Sequence, residues 1–343
     1  MIDPHTTLMY AEAADAAAVL RRQYVRNADA VTALGARLRD NTPRVVVTLA
    51  RGSSDNAATF ARYLIETHAG ILTSSASPSI VSVYDAAPDM AGTMMLAISQ
   101  SGRSPDLVAA ATAAKARGAF LISLVNDEQS PLFALADVAL PLCAGPEKSV
   151  AATKSFIATL GAILHILAEW RQDARLRNAV GALPDLLDRA WTEDWSAALP
   201  VLQRVNHLYV VGRGHGFGIA QEMALKFKET CGIHAEAFSA AEIRHGPMAL
   251  VGPKFPVLLA AQNDATQDSV RTLADTFTAR GAPVLVAGLA DTSGIELPAL
   301  DADALIQPIL LVQSFYNMVN SLSVMRGHDP DRPPTLAKVT ETV

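Results

Sequence analysis

The chain is poor in sulfur, in aromatic residues and in runs of like charge. Cys143 and Cys231 are its only cysteines; they lie far apart and match no metal-binding spacing. That excludes a disulfide scaffold and a cysteine zinc cluster, and leaves two free thiols suited to a reducing compartment. The net charge is -6 and no basic block occurs, so a nucleic-acid partner is not expected. No apolar run reaches the roughly 18 residues that a membrane-spanning helix needs. The opening MIDPHTTLMYAEAADAAAVLRRQY carries no basic region followed by an apolar stretch, so no signal peptide and a cytoplasmic location are expected. Aromatic residues make up only 6%.

What is abundant is alanine, leucine and valine. Half of the 343 residues are hydrophobic and 18% are charged, the balance of helices packed on buried parallel strands rather than of a disordered chain. The length is too great for one ordinary core and predicts two domains of roughly 150 to 180 residues.

A repeat explains the two domains. Residues 45–71 (VVVTLARGSSDNAATFARYLIETHAGI) and 207–233 (HLYVVGRGHGFGIAQEMALKFKETCGI) align at an offset of 162 and share Arg51/Arg213, Gly52/Gly214, Ala58/Ala220, Gly70/Gly232 and Ile71/Ile233. Each reads as a strand, a tight turn and a helix closed by glycine. Residues 94–124 and 256–288 continue the match as strand, loop, helix, glycine and strand. The chain is therefore read as α/β, with two copies of one module, each a doubly wound parallel sheet with helices on both faces. Residues 1–40 form an N-terminal helical segment, 41–185 the first module, 186–328 the second and 329–343 a tail. The join lies in the polar, helical stretch 171–200, and three prolines keep 328–334 (HDPDRPP) irregular.

Ligands of open parallel sheets sit at the carboxyl ends of strands. Ser99-Gln100-Ser101-Gly102-Arg103-Ser104 occupies such a place, after the strand MMLAI and before a helix starting at Ser104 or Pro105. Free N–H groups at that helix start, three hydroxyls and an amide suit a phosphate; Gly102 permits close approach, and Arg103 adds charge. An ordinary serine-rich turn capping a helix is the alternative. The repeat favours the phosphate, because the second module has Gln262-Asn263-Asp264-Ala265-Thr266 there, with one hydroxyl and a repelling carboxylate. Ser53 and Ser54 face the same place, cap the helix starting near Asp55, or do both.

The second module carries acid and base. Glu222, Lys226 and Glu229 fall on one helical face. On a solvated face they would be an ion-pair ladder of little consequence. Their first-module counterparts are Phe60, Leu64 and Thr67, which points to a buried or lining role. His245 stands before Gly246-Pro247, at a loop edge where a histidine can shuttle protons near neutrality or be merely structural. Lys338, near the C-terminus, has the weakest local signal.

The motifs SQSG (99–102), SVAATKSF (149–156), ALKFKE (224–229), HAEAF (234–238), AEIRHGP (241–247) and TLAK (335–338), with the opening TLMYAEA, resemble the sugar-isomerase (SIS) family, and within it the isomerase half of the glucosamine-6-phosphate synthases. The resemblance covers nearly the whole chain. It implies two tandem SIS modules of flavodoxin-like fold. It implies that Ser53, Ser54, Ser99, Gln100, Ser101 and Ser104 hold the phosphate and nearby hydroxyls and that Glu229 moves a proton between C1 and C2. His245 would open the sugar ring from the other subunit of a homodimer with shared sites, Lys338 would form a Schiff base with the open-chain ketose, and Lys226 would assist the proton transfers. The tail would close over the pocket as a lid. No metal or organic cofactor is implied. In two places the chain departs from the synthases. It begins at the isomerase linker, so use of glutamine is not expected. It also has Ala152 for a serine and Arg103 for a glutamate, which bears on the hydroxyl pattern of the substrate. The expected reaction is conversion of glucosamine-6-phosphate to fructose-6-phosphate and ammonia through an enolamine. The alternatives are an ammonia-dependent aminotransferase-type synthase, a fructosamine-phosphate deglycase, and, from another class, a non-catalytic sugar-phosphate sensor.

Overall fold

A computed structural model describes residues 2–338. The first sheet is built from β1 (Val45–Leu49), β2 (Thr73–Ser75), β3 (Thr93–Ser99), β4 (Phe120–Val125) and β5 (Val138–Pro141), all parallel, in the order β2-β1-β3-β4-β5. The middle strands read as unbroken apolar runs, and Met94 to Ile98 and Leu121 to Val125 are buried. A parallel sheet covered on both faces demands this, because neither face of a strand meets water. The covering helices include Ser53–Leu64, Pro105–Ala116 and Lys154–Arg171. The last is apolar around most of its circumference and buried along most of its length, as befits a core helix rather than a surface one.

The second sheet repeats the plan with β6 (His207–Gly212), β7 (His234–Ser239), β8 (Val257–Ala260), β9 (Val284–Ala287) and β10 (Ile295–Leu297) in the order β10-β9-β8-β6-β7. Each of its pairs is parallel. In both sheets the first strand of the module lies between the second and the third. The winding therefore reverses beside that strand and opens a crevice at its carboxyl end. The double winding expected from the repeat is present in both copies.

The two compact units are not contiguous in sequence. The unit around the second sheet holds the residues up to Ala17, Lys148–Thr153 and Ala182–Leu336. The unit around the first sheet holds Ala18–Glu147, Lys154–Gly181 and, at the tail, Ala337 and Lys338. Side chains explain how the early residues join the second unit. Thr7 caps the Leu8–Ala14 helix by accepting from the Tyr10 N–H, and its hydroxyl donates to Asn320 at 2.7 Å. Asp331, in the proline-rich segment, accepts from the N–H groups of Leu8 and Met9 at 2.7 Å each. The buried Glu12 carboxylate accepts from the N–H groups of Lys148 and Ser149. No described helix is long and apolar enough to cross a membrane.

Candidate active site

In the first unit, β3 delivers Ser99 to the crevice, and the chain turns at Gly102 into the Pro105–Ala116 helix. Gly102 has φ 63°, and a Cβ there would lie 2.2 Å from Ser130 Oγ and 2.8 Å from Val125 Cγ1. Only glycine satisfies both the left-handed backbone and the close approach. The buried Ser99 hydroxyl accepts from the Gly102 N–H at 3.0 Å, and the Ser101 hydroxyl from the Arg103 N–H at 3.3 Å. Ser104 is the N-cap residue, yet its side chain makes no capping bond. Pro105, the first helical residue, has no N–H, and the Leu107 N–H donates to Asp106 Oδ1 at 2.8 Å, so this helix start offers an anion the Ser104 hydroxyl rather than a full turn of N–H groups. Gln100 is half-buried in the same turn.

Ser53 and Ser54 differ from the capping role considered for them. The helix begins at Ser53, and Gly52, with φ 54° and ψ -132°, is the N-cap residue. The two serines are therefore the first two helical residues, and the Ser54 N–H donates to the Arg51 carbonyl at 3.1 Å. The neighbouring Arg51 is forked onto one oxygen of the buried Asp106 at 3.1 and 2.8 Å. Asp106 stands in the first turn of the helix after Gly102, so this ion pair joins the two helix starts that carry the serines. Arg103 also departs from expectation. It bonds Asp127 at 2.9 and 2.7 Å and the Gln129 carbonyl at 3.3 Å. The Gln129 N–H and this guanidinium hold the Asp127 carboxyl below the usual carboxylate range, so the Arg103 charge is already matched.

The corresponding loop of the second unit has become its own anion site. Asp264 accepts from the Thr266 N–H at 2.8 Å, from the Thr266 hydroxyl at 2.5 Å and from Gln262 Nε2 at 3.0 Å. Burial raises its pKa, but these bonds and the nearby His215 outweigh that and hold it below the ordinary value. The carboxylate uses donors of the kind that a phosphate would need.

Glu222, Lys226 and Glu229 lie on the Phe217–Cys231 helix. Glu222 and Lys226 are wholly buried. Lys226 Nζ is 3.3 Å from Glu222 Oε1 and 2.5 Å from Glu229 Oε2, and the Tyr316 hydroxyl lies 3.1 Å from Glu222 Oε1. Burial by itself would lower the lysine pKa, but the two carboxylates outweigh it and hold the ammonium well above its ordinary value. The first-unit counterparts Phe60 and Leu64 are also buried. The repeat has thus kept an inward face and replaced its hydrophobic contacts with an ion-paired row. Glu229 keeps 20% of its side chain exposed while Lys226 keeps none. One carboxylate of the row reaches the surface, braced by a charge that does not.

His245 is exposed, directly after the short helical turn Glu242–Arg244. Lys338 is not a solvated terminal lysine. In the first unit its amine lies 3.2 Å from Glu147 Oε2. The Glu147 carboxylate is buried and also accepts from the Ser155 N–H at 3.2 Å and the Ser155 hydroxyl at 2.6 Å. Glu147, Asp106 and Tyr316 were not singled out from the sequence. Glu147 alone had a signal there, a lone acid in Gly145-Pro146-Glu147 just before the SVAATKSF motif. Among the described residues no group of three or more His, Cys, Asp or Glu side chains is placed to hold a metal ion.

The SIS domain model matches residues 41–168 and 201–326. The chain belongs to the SIS domain family. This SIS protein is 37% identical over 307 residues to glutamine–fructose-6-phosphate aminotransferase (isomerizing) of Aeropyrum pernix, covering 84% of its own length and 49% of the relative's. It thus spans about half of the aminotransferase it matches. A protein of Silicibacter pomeroyi taken to be a phosphosugar isomerase has a solved structure that superimposes with a TM-score of 0.91 at 40% identity, covering 95% of this chain and 100% of that one. Glucosamine-6-phosphate deaminase of Thermotoga maritima superimposes with a TM-score of 0.72 at 22% identity over 94% of this chain and 100% of that one, a likeness of fold. The SIS protein is a member of a sugar-isomerase family, built from two SIS repeats.

Proposed function

We propose that this SIS protein converts glucosamine-6-phosphate and water to fructose-6-phosphate and ammonia. The observation that carries the reading is the row Glu222, Lys226 and Glu229, in which a buried ammonium braces one partly exposed carboxylate. A base that moves a proton between adjacent carbons must be held still and must reach its substrate, and Glu229 meets both demands. His245 opens the ring. Glu229 takes the C2 proton and returns one at C1, so the 2-amino aldose becomes a 2-imino ketose, which water hydrolyses. Ser53, Ser54, Ser99, Gln100, Ser101 and Ser104 hold the phosphate, and Lys338 engages the open-chain carbonyl. Lys226, which is wholly buried, acts through Glu229. Binding at the phosphate, remote from the reacting carbons, orients them.

The test is release of ammonia and fructose-6-phosphate from glucosamine-6-phosphate with no glutamine present. Equal amounts of both are expected from the wild type. E229Q should bind the sugar phosphate and lose turnover by about 10²-fold or more. A wild type that binds glucosamine-6-phosphate and releases neither product refutes the proposal. The likeness to an aminotransferase favours a second reading, the same chemistry run from fructose-6-phosphate and ammonia toward the amino sugar. Supplying fructose-6-phosphate with ammonium and measuring glucosamine-6-phosphate tests it.

A further inference from the structure

Lys338 and Glu147 are 191 positions apart in sequence, yet the amine lies 3.2 Å from a carboxylate with no exposed surface. That carboxylate is fixed at the start of the Lys154–Arg171 helix by the Ser155 N–H at 3.2 Å and the Ser155 hydroxyl at 2.6 Å. A flexible lysine side chain loses more freedom on ordering than almost any other, and an exposed ion pair barely offsets that loss. A partner that is buried and already held by two donors is another matter, because leaving it unpaired is costly. The pairing therefore selects one position for the amine.

We propose that Glu147 is the positioning residue of Lys338 and its standing counter-ion during Schiff-base formation. This rests on the reading of Lys338 given above. In the condensation the ammonium gives up one proton, which passes to the carbonyl oxygen as the neutral amine adds to C2 of the ketose phosphate. With a second proton from the same nitrogen that oxygen leaves as water, and a protonated imine remains. The nitrogen carries one positive charge before the step and one after it. A fixed anion beside it matches both ends of the step without moving, whereas water would have to reorganise. Glu147 acts through Lys338 and needs no contact with the sugar.

The experiment is reductive trapping. The whole chain is mixed with saturating fructose-6-phosphate and borohydride. The rate of sugar attachment to Lys338 is followed by peptide mass, and the dissociation constant of the sugar phosphate is measured separately. In the wild type the adduct forms on Lys338. In E147Q, which keeps the shape and loses the charge, the trapping rate at saturation should fall about tenfold or more while the dissociation constant moves less than about threefold. E147D, which keeps the charge one methylene back, should fall between the two and serves as the comparison if E147Q does not fold. A role confined to folding would weaken binding and trapping together and overturn the proposal, as would an unchanged trapping rate in both variants. A wild type that binds the sugar yet is never trapped at Lys338 overturns the Schiff-base reading, and the counter-ion assignment falls with it.

Discussion

The buried ion row offers the sharpest test of the energetics. Lys226 is wholly buried between Glu222 and Glu229, and Glu222 is itself wholly buried. K226M keeps the bulk and removes the charge. Glu222 is then a buried carboxylate with the Tyr316 hydroxyl 3.1 Å away and no ammonium. Breaking a buried pair from one side costs about 3–5 kcal/mol, against a total of about 5–15 kcal/mol for a typical domain. At about 2–4 °C per kcal/mol for a unit of this size, the melting temperature should drop by roughly 6–20 °C. The double variant K226M/E222Q removes the stranded charge and keeps an oxygen for the tyrosine. It should recover most of the loss, since a neutral buried pair is often as stable as a charged one. Thermal unfolding at neutral pH reads both, and turnover should stay low in both because Glu229 has lost its brace. A K226M protein that melts within about 2 °C of the wild type would refute the reasoning, as would a double variant no more stable than the single one.

Two further outcomes follow from the loops. G102A would place a Cβ 2.2 Å from Ser130 Oγ at a φ of 63°; it should cost about 1–3 kcal/mol and weaken sugar-phosphate binding by about tenfold or more, read by calorimetric titration, with unchanged affinity as the contrary result. Asp264 has a folded pKa below its ordinary value, so the stability it contributes is present above the unfolded value of about 3.9 and is lost as pH falls through the lower folded value. D264N should therefore melt below the wild type at neutral pH, and the gap should close on acidification below about pH 4. A gap that stays constant down to pH 3, read in the same melts, would go against the assignment.

The double winding was legible because both copies carry the same alternation of apolar runs, turns and glycine caps, and period and order survive without side-chain detail. The inward face of the Glu222–Glu229 helix was legible by comparison, since Phe60 and Leu64 stand where Glu222 and Lys226 do. Local geometry was less accessible. Which residue caps a helix depends on one backbone angle, and Gly52 takes the cap that Ser53 and Ser54 were considered for. The direction of a long side chain depends on a partner elsewhere in the chain, and Arg103 turns to Asp127. The least legible feature was Glu147. Nothing near it in sequence announces Lys338, because that meeting is made by tertiary structure alone.

The bonds that Thr7, Leu8 and Met9 make to Asn320 and Asp331 span more than 300 residues, with |i−j| of 313, 323 and 322. During synthesis at about 5–20 residues per second, roughly 15 to 65 s pass between the emergence of the Leu8–Ala14 helix and that of its partners. Throughout that interval Met9 and Ala13, fully covered in the finished molecule, have no permanent place to pack. The first strand–turn–helix unit can form long before, whereas the second unit cannot close until Asn320 and Asp331 have been made. A ribosome stalled within the Gln307–Met325 helix would hold a nascent protein with one finished sheet and an unhoused first helix, and chaperones should act on it there.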